Sequence, residues 1–179
     1  MSATPFRVAL VGDVIIRRKV STLAEPKFLK TVELLRADDC SIGNFESIIH
    51  DFEGPGVYPA AEAGWTWMRS PRFATEEVRW LGLDAVSLAN NHSLDYSHGG
   101  VIETRKATAD AGIPCAGTGR NLEEAQLPAY VETSSLWVGL VSMATSFAKW
   151  ARAGRSYDGI PGRPGVNRWD SIRCSIRSG

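Results

Sequence analysis

Apolar residues run almost unbroken through FRVALVG (6–12) and stop at Gly12-Asp13, the pattern of a short strand buried on both faces. Phe28, Leu29, Val32 and Leu35 then recur at helical spacing and predict a helix over 26–36. DCSIGNFE reads as a second strand ending at Asn44, and 47–69, which holds Gly54, Pro55, Gly56 and Pro59, reads as a long loop. Ser70-Pro71 has the form of an N-cap followed by a first-turn proline, opening a helix that runs to about Leu81. That helix feeds the strand DAVSLA (84–89). A further helix is expected over 99–111, with Gly112 placed to end it, and IPCAG is a fourth strand. AYVET and LWVGLVS flank Ser134-Ser135, which predicts a strand pair with a short connection.

Strands alternating with helices of about ten residues predict an α/β domain with a largely parallel sheet. Beyond Ser146 the pattern changes: KWARAGRSYDGIPGRPGVNRW is rich in arginine, glycine and proline and reads as an extended loop. Trp169, Ile172 and Ile176 are spaced like the start of an amphipathic helix, so 168–179 is expected to be a helix start or tail cut short after a domain over 1–167. An apolar stripe without a covering layer also predicts self-association, or a second half supplied separately.

With 179 residues the chain suffices for one domain with a core. Twenty basic side chains balance twenty acidic ones, so no global field points to nucleic acid or an anionic membrane. Cys40, Cys115 and Cys174 lie far apart, without zinc spacing and odd in number, which argues against a disulfide framework. No stretch approaches the roughly 20 apolar residues of a membrane span, and the N-terminus lacks the pattern of a secretory signal. A cytoplasmic chain is expected.

Candidate chemistry falls at three strand ends, where open α/β sheets form their sites. They are Gly12-Asp13, Asn44-Phe45-Glu46 and Asn90-Asn91-His92, the last followed by Asp95. Parallel strands lie about 5 Å apart, so these side chains converge if the strands are neighbours. Carboxylates, carboxamides and an imidazole suit divalent cations and proton transfer. Taken singly, each has a plainer reading: Asp13 as a turn cap, Asn90 or Asn91 as a left-handed turn residue, His92 as a structural histidine. Arg17 and Arg18 follow Asp13 closely, and a guanidinium there suits a carboxylate or phosphate. Trp65 and Trp67 read as packing of the long loop or as a cover over the pocket mouth.

VALVGDVII, SIGNFES, LGLDAVSLANNHSLDYSHGGVIETRKATADAGIPCAGTG and IPGRPGVN together resemble the bacterial capsule-synthesis (poly-gamma-glutamate biosynthesis) CapA/PgsA family. That family belongs to the calcineurin-like metallophosphoesterase superfamily, and the likeness covers about residues 6–167. It implies a four-layer α/β/β/α sandwich with a metal-centred site at one end of the sheets, its second half incomplete here. By position, Asp13 is implied as a metal ligand, Glu46 as the carboxylate bridging two metals, and Asn91 as a ligand to the second. His92 is implied to touch the anionic group of the substrate or to protonate the leaving group. Asp95 would orient the loop or His92, and Asn44 would line the same pocket; from the residues themselves, Asn90 and Arg17 are expected to contact substrate. A divalent metal and a phosphoryl or peptide-like polyglutamate substrate follow from the same resemblance.

The superfamily places a histidine two residues after its first aspartate, where this chain has Ile15. Only His50, His92 and His98 are present, and the first and last read as loop histidines rather than ligands. Asp13, Glu46 and Asn91 alone under-ligate a two-metal centre. Three readings therefore stay open: metal-dependent hydrolysis or transfer; metal-independent acid/base chemistry such as epimerisation, with Asp13 or Glu46 as base and His92 as partner; and a catalytically silent fragment or accessory binding subunit.

Overall fold

The computed structural model describes residues 5–61 and 66–169. Strand β1 (Val8–Val14) is followed by helix α1 (Pro26–Ala37) and β2 (Cys40–Phe45). Two-residue strands β3 (Ile48–Ile49) and β4 (Arg69–Ser70) bracket the long loop, and α2 (Ala74–Leu81) leads to β5 (Ala85–Ser87). Helix α3 (Ser97–Asp110), β6 (Cys115–Ala116), β7 (Thr118–Gly119) and a single turn α4 (Leu122–Ala125) come next. The hairpin β8 (Ala129–Glu132) and β9 (Trp137–Leu140), a 3-10 turn at Lys149–Ala151 and β10 (Gly165–Val166) complete the described chain.

The main sheet is parallel throughout, in the order β1-β2-β5-β6. Leu35 of α1, Ala74 and Val78 of α2 and Ala107 of α3 pack with Phe45 and Val86 on one of its faces. On the other face Cys40, Ile42 and Ala85 meet Val131, Val138 and Leu140 of the β8–β9 hairpin. The result is an α/β/β layering with a parallel sheet, in keeping with a metallophosphoesterase-like fold. A smaller apolar cluster of Leu94, Val101, Ala144, Ala151 and Val166 sits beneath the 144–166 segment.

Four local expectations need correction. β1 is an edge strand, not one buried on both faces: Leu10 is 76% exposed and Val8 44%, because the hairpin covers β2 and β5 but stops short of it. The register skips at Gly12, and this bulge carries β1 on to Val14, so that Asp13 lies within the strand and not in a turn after it. Ser70 does not cap α2. It belongs to β4, its carbonyl accepts from His50 N–H at 3.2 Å, and its hydroxyl meets that of Ser47 at 2.8 Å. The helix begins at Ala74 after a turn over Pro71, without a side-chain cap. His98, expected in a loop, lies in the first turn of α3 with its ring edge-on to Trp150. Gly112 follows the last turn of α3 with a positive φ of 65°, as anticipated. Ile172 and Ile176 lie outside the described residues, as does Trp65.

The long loop is pinned to α3 at Gly99. A Cβ placed there would stand 2.4 Å from the backbone carbon of Gly56 and 2.5 Å from the Pro55 oxygen. Backbone cannot yield as a side-chain end does, so Gly99→Ala should cost about 1–3 kcal/mol. A fall in the urea midpoint at unchanged m-value would show it.

His50 is fully buried between the rings of Phe52 and Tyr96, and its Nδ1 accepts from Phe52 N–H at 3.0 Å. Burial, then the Arg69 charge, hold its pKa below the ordinary histidine value, against the opposing pull of Glu53 and Asp51. Burial lowers His98 in the same way. Such a group binds more protons unfolded than folded. Stability should therefore fall as pH drops from the ordinary histidine value towards the lowered one. Urea midpoints between about pH 7.5 and 5 should show this slope, shallower in His50→Phe. An unchanged slope in that variant would exclude His50 as its source.

Candidate functional site

The three strand ends are neighbours. Asp13, Asn44 and Ser87 stand in one row across β1, β2 and β5, so the sheet register itself aligns the first two candidate groups. Asn44 Nδ2 donates to Asp13 Oδ1 at 2.8 Å, and Asn90 Nδ2 donates to Asn44 Oδ1 at 3.2 Å and to the Phe45 carbonyl at 3.0 Å. Asn90 Oδ1 accepts from His92 N–H at 3.0 Å and from Ser93 Oγ at 3.3 Å. The Asn90 carboxamide thus donates and accepts within the protein. It ties the loop after β5 to the end of β2. Among the described residues only Phe52 and Ser97 are non-glycine residues with positive φ, so neither Asn90 nor Asn91 is a left-handed turn residue.

Glu46 lies within hydrogen-bonding reach of Asp13. Burial, then the Asp13 contact and charge, push its carboxyl above the usual range; His92 pulls the other way and Asp95 adds to the rise. His92 Nδ1 meets Asp95 Oδ2 at 2.7 Å. The same oxygen accepts from Met68 N–H at 2.7 Å, while Ala60 N–H bonds the Asp95 carbonyl. Asp95 is 4% exposed, and burial raises its carboxyl despite those two donors. An ionised Asp95 makes Nδ1 the donor and leaves Nε2 of His92 free for proton exchange.

Beside His92 opens a cavity of about 340 Å³. It is lined by the polar Asn91, His92, Asp95 and Ser146 and by the apolar Leu94, Phe147 and Trp150. Asn91 is exposed, whereas Asn90 is buried. The 146–151 wall was missed in the sequence, where it reads as an extended loop; the two aromatic residues among small ones were the available signal. Arg17 and Arg18 are exposed on the loop after β1, and the Arg17 charge is felt at the Tyr96 hydroxyl. Trp67 is half-exposed next to Met68, and Ile15 is exposed.

The oxygen groups at the strand ends are the neighbouring Asp13 and Glu46 carboxyls and the exposed Asn91 carboxamide, which lines the cavity beside His92. Two carboxyls in contact repel when both are ionised, and a cation between them removes that penalty. Carboxylate and carboxamide oxygens are the donor type that a hard divalent ion takes. Among the described residues no three His, Cys, Asp or Glu side chains come together as metal ligands, which does not fit a fully protein-ligated pair of metals. No described helix is long and apolar enough to cross a membrane.

Residues 7–170 match the family model described as bacterial capsule synthesis protein PGA_cap. Two uncharacterized proteins of Sinorhizobium fredii, y4sH and y4uA, are each 37% identical over 162 residues, which is 90% of this chain and 35% of theirs. The capsule biosynthesis protein CapA of Bacillus anthracis is 24% identical over 157 residues, 85% of this chain and 38% of that protein. The chain thus spans little more than a third of the curated relatives it matches. With that match running through the Asp13, Glu46 and Asn90–His92 strand ends, the chain belongs to the bacterial capsule synthesis protein family.

Proposed function

We propose that this chain carries a hydrolytic or transfer site for a phosphoryl or peptide-like anionic substrate, assisted by a divalent cation at Asp13 and Glu46. The observation that supports it is the contact of two carboxyls at neighbouring strand ends, joined through Asn44 and Asn90 to the His92–Asp95 pair. A bound cation would supply Lewis acidity, polarising the scissile group and making water a better nucleophile. Asp13 and Glu46 hold it, with the Asn91 oxygen as third donor. His92, protonated at Nε2 as well as Nδ1, gives its Nε2 proton to the leaving group and regains one from the attacking water, and Asp95 keeps the ring turned for that task. Asn44 and Asn90 fix the spacing of the two loops, and Arg17 meets the anionic end of the substrate.

A second reading rests on the raised Glu46 carboxyl. A protonated Glu46 sharing its hydrogen with Asp13 is an acid–base pair able to exchange a proton next to a carbonyl without any metal. One assay pair separates the two. Release of p-nitrophenol from p-nitrophenyl phosphate that needs manganese or magnesium and stops with a chelator supports the first. Deuterium uptake at the α-carbon of a glutamyl peptide in D₂O, undiminished by chelator, supports the second. If both assays stay silent with folded protein, both enzymatic readings fail for these substrates and the binding-subunit reading is the one left.

A further inference from the structure

The lining of the cavity beside His92 mixes two kinds of group: the polar Asn91, His92, Asp95 and Ser146, and the apolar Leu94, Phe147 and Trp150 with small alanines. Among the described residues that line it there is no lysine or arginine. Arg152 stands 5.8 Å from the centre of the Phe147 ring but is not part of the lining. A substrate anion placed there would lose water without gaining a countercharge, which is costly. The volume of about 340 Å³ lies at the small end of ligand pockets and admits a ring-sized group beside a polar one.

Trp150 is braced for this position. Its ring meets His98 edge-on at 5.6 Å between centroids, and it packs with Ala151 and Phe147 against the Leu94–Val101 cluster. The segment is set by long-range pairing: Ala144 bridges Arg168, and Arg152 bridges Val166. The wall, which includes the 3-10 turn at Lys149–Ala151, is therefore attached to the β7–β10 pair.

We propose that this cavity is a specificity subsite for an uncharged, flat apolar group of the substrate, with Phe147 and Trp150 as its determinants. This deepens the reading of His92 as the residue facing the reacting group and rests on it for orientation. The substrate it selects is an anionic ester or amide that carries one aryl-sized apolar substituent beside the reacting group.

Calorimetric titration of the 179-residue chain, in magnesium, with methyl phosphate and phenyl phosphate tests this. Phenyl phosphate should bind about tenfold tighter or better. The ratio should collapse towards one in Trp150→Ala and in Ala148→Leu, which fills the cavity without removing the braced ring. Should Trp150→Ala fail the folding check by circular dichroism, Ala148→Leu decides. Equal affinities in the wild type, or a ratio unchanged in Ala148→Leu, overturn the subsite. Phenylacetamide against acetamide gives an arm that needs no phosphoryl site. If neither phosphate ester binds, yet phenylacetamide binds the wild type and is lost in Ala148→Leu, the subsite stands and the phosphoryl reading falls. If phenylacetamide also fails to bind, the subsite falls with it.

Discussion

Asp13→Ala is expected to lower cation-dependent turnover by at least about 10²-fold while leaving the unfolding temperature close to that of the wild type. The two halves of this expectation have separate causes. Asp13 is exposed near the end of an edge strand and belongs to none of the apolar clusters. Its deletion removes the bond from Asn44 Nδ2, worth about 0.5–1.5 kcal/mol, but also relieves the carboxyl opposed to Glu46. These contributions act in opposite directions. Function has no such compensation, because one of two carboxylates suited to a cation is gone. Turnover within about threefold of wild type would remove Asp13 from the mechanism. A collapse of the unfolding transition would instead make it structural.

His92→Gln should reduce turnover per folded molecule by about 10²–10⁴-fold, equivalent to roughly 3–5 kcal/mol of barrier. The loss of stability should be smaller. Asp95 loses the ring as a partner, yet the Met68 N–H still satisfies the same oxygen at 2.7 Å. A cost of about 1–3 kcal/mol is the scale for weakening one buried polar contact. Paired measurements of turnover and unfolding midpoint separate the two. A large stability loss with unchanged activity per folded molecule would make His92 a structural histidine of the 89–96 loop.

The parts of this site that were legible in the sequence are those fixed by strand periodicity. Apolar runs ending at Asp13, Asn44 and Asn90 marked three strand ends, and the parallel α/β reading put those ends on one side. Whether the strands were neighbours was left open, and the order β1-β2-β5 met that condition. Exposure was harder to read. The run at Val8–Val11 is equally apolar for a covered strand and for an edge strand, and only the extent of the β8–β9 hairpin distinguishes them. Ser70-Pro71 carries a good local capping signal, but a two-residue pairing with β3 outweighs it. The wall at Phe147 and Trp150 had no period to find, since bridges to Val166 and Arg168 fix it from across the fold. The division of labour between Asn90 and Asn91 was likewise invisible, because burial and hydrogen bonding distinguish two identical side chains.

Manganese titration of the folded chain, followed by electron paramagnetic resonance, tests the cation site most directly. One ion per chain is expected, its affinity lost in both Asp13→Ala and Glu46→Gln, with circular dichroism unchanged. Folded wild-type protein that binds no manganese, or that binds it equally well in both variants, would contradict a site built on these two carboxyls.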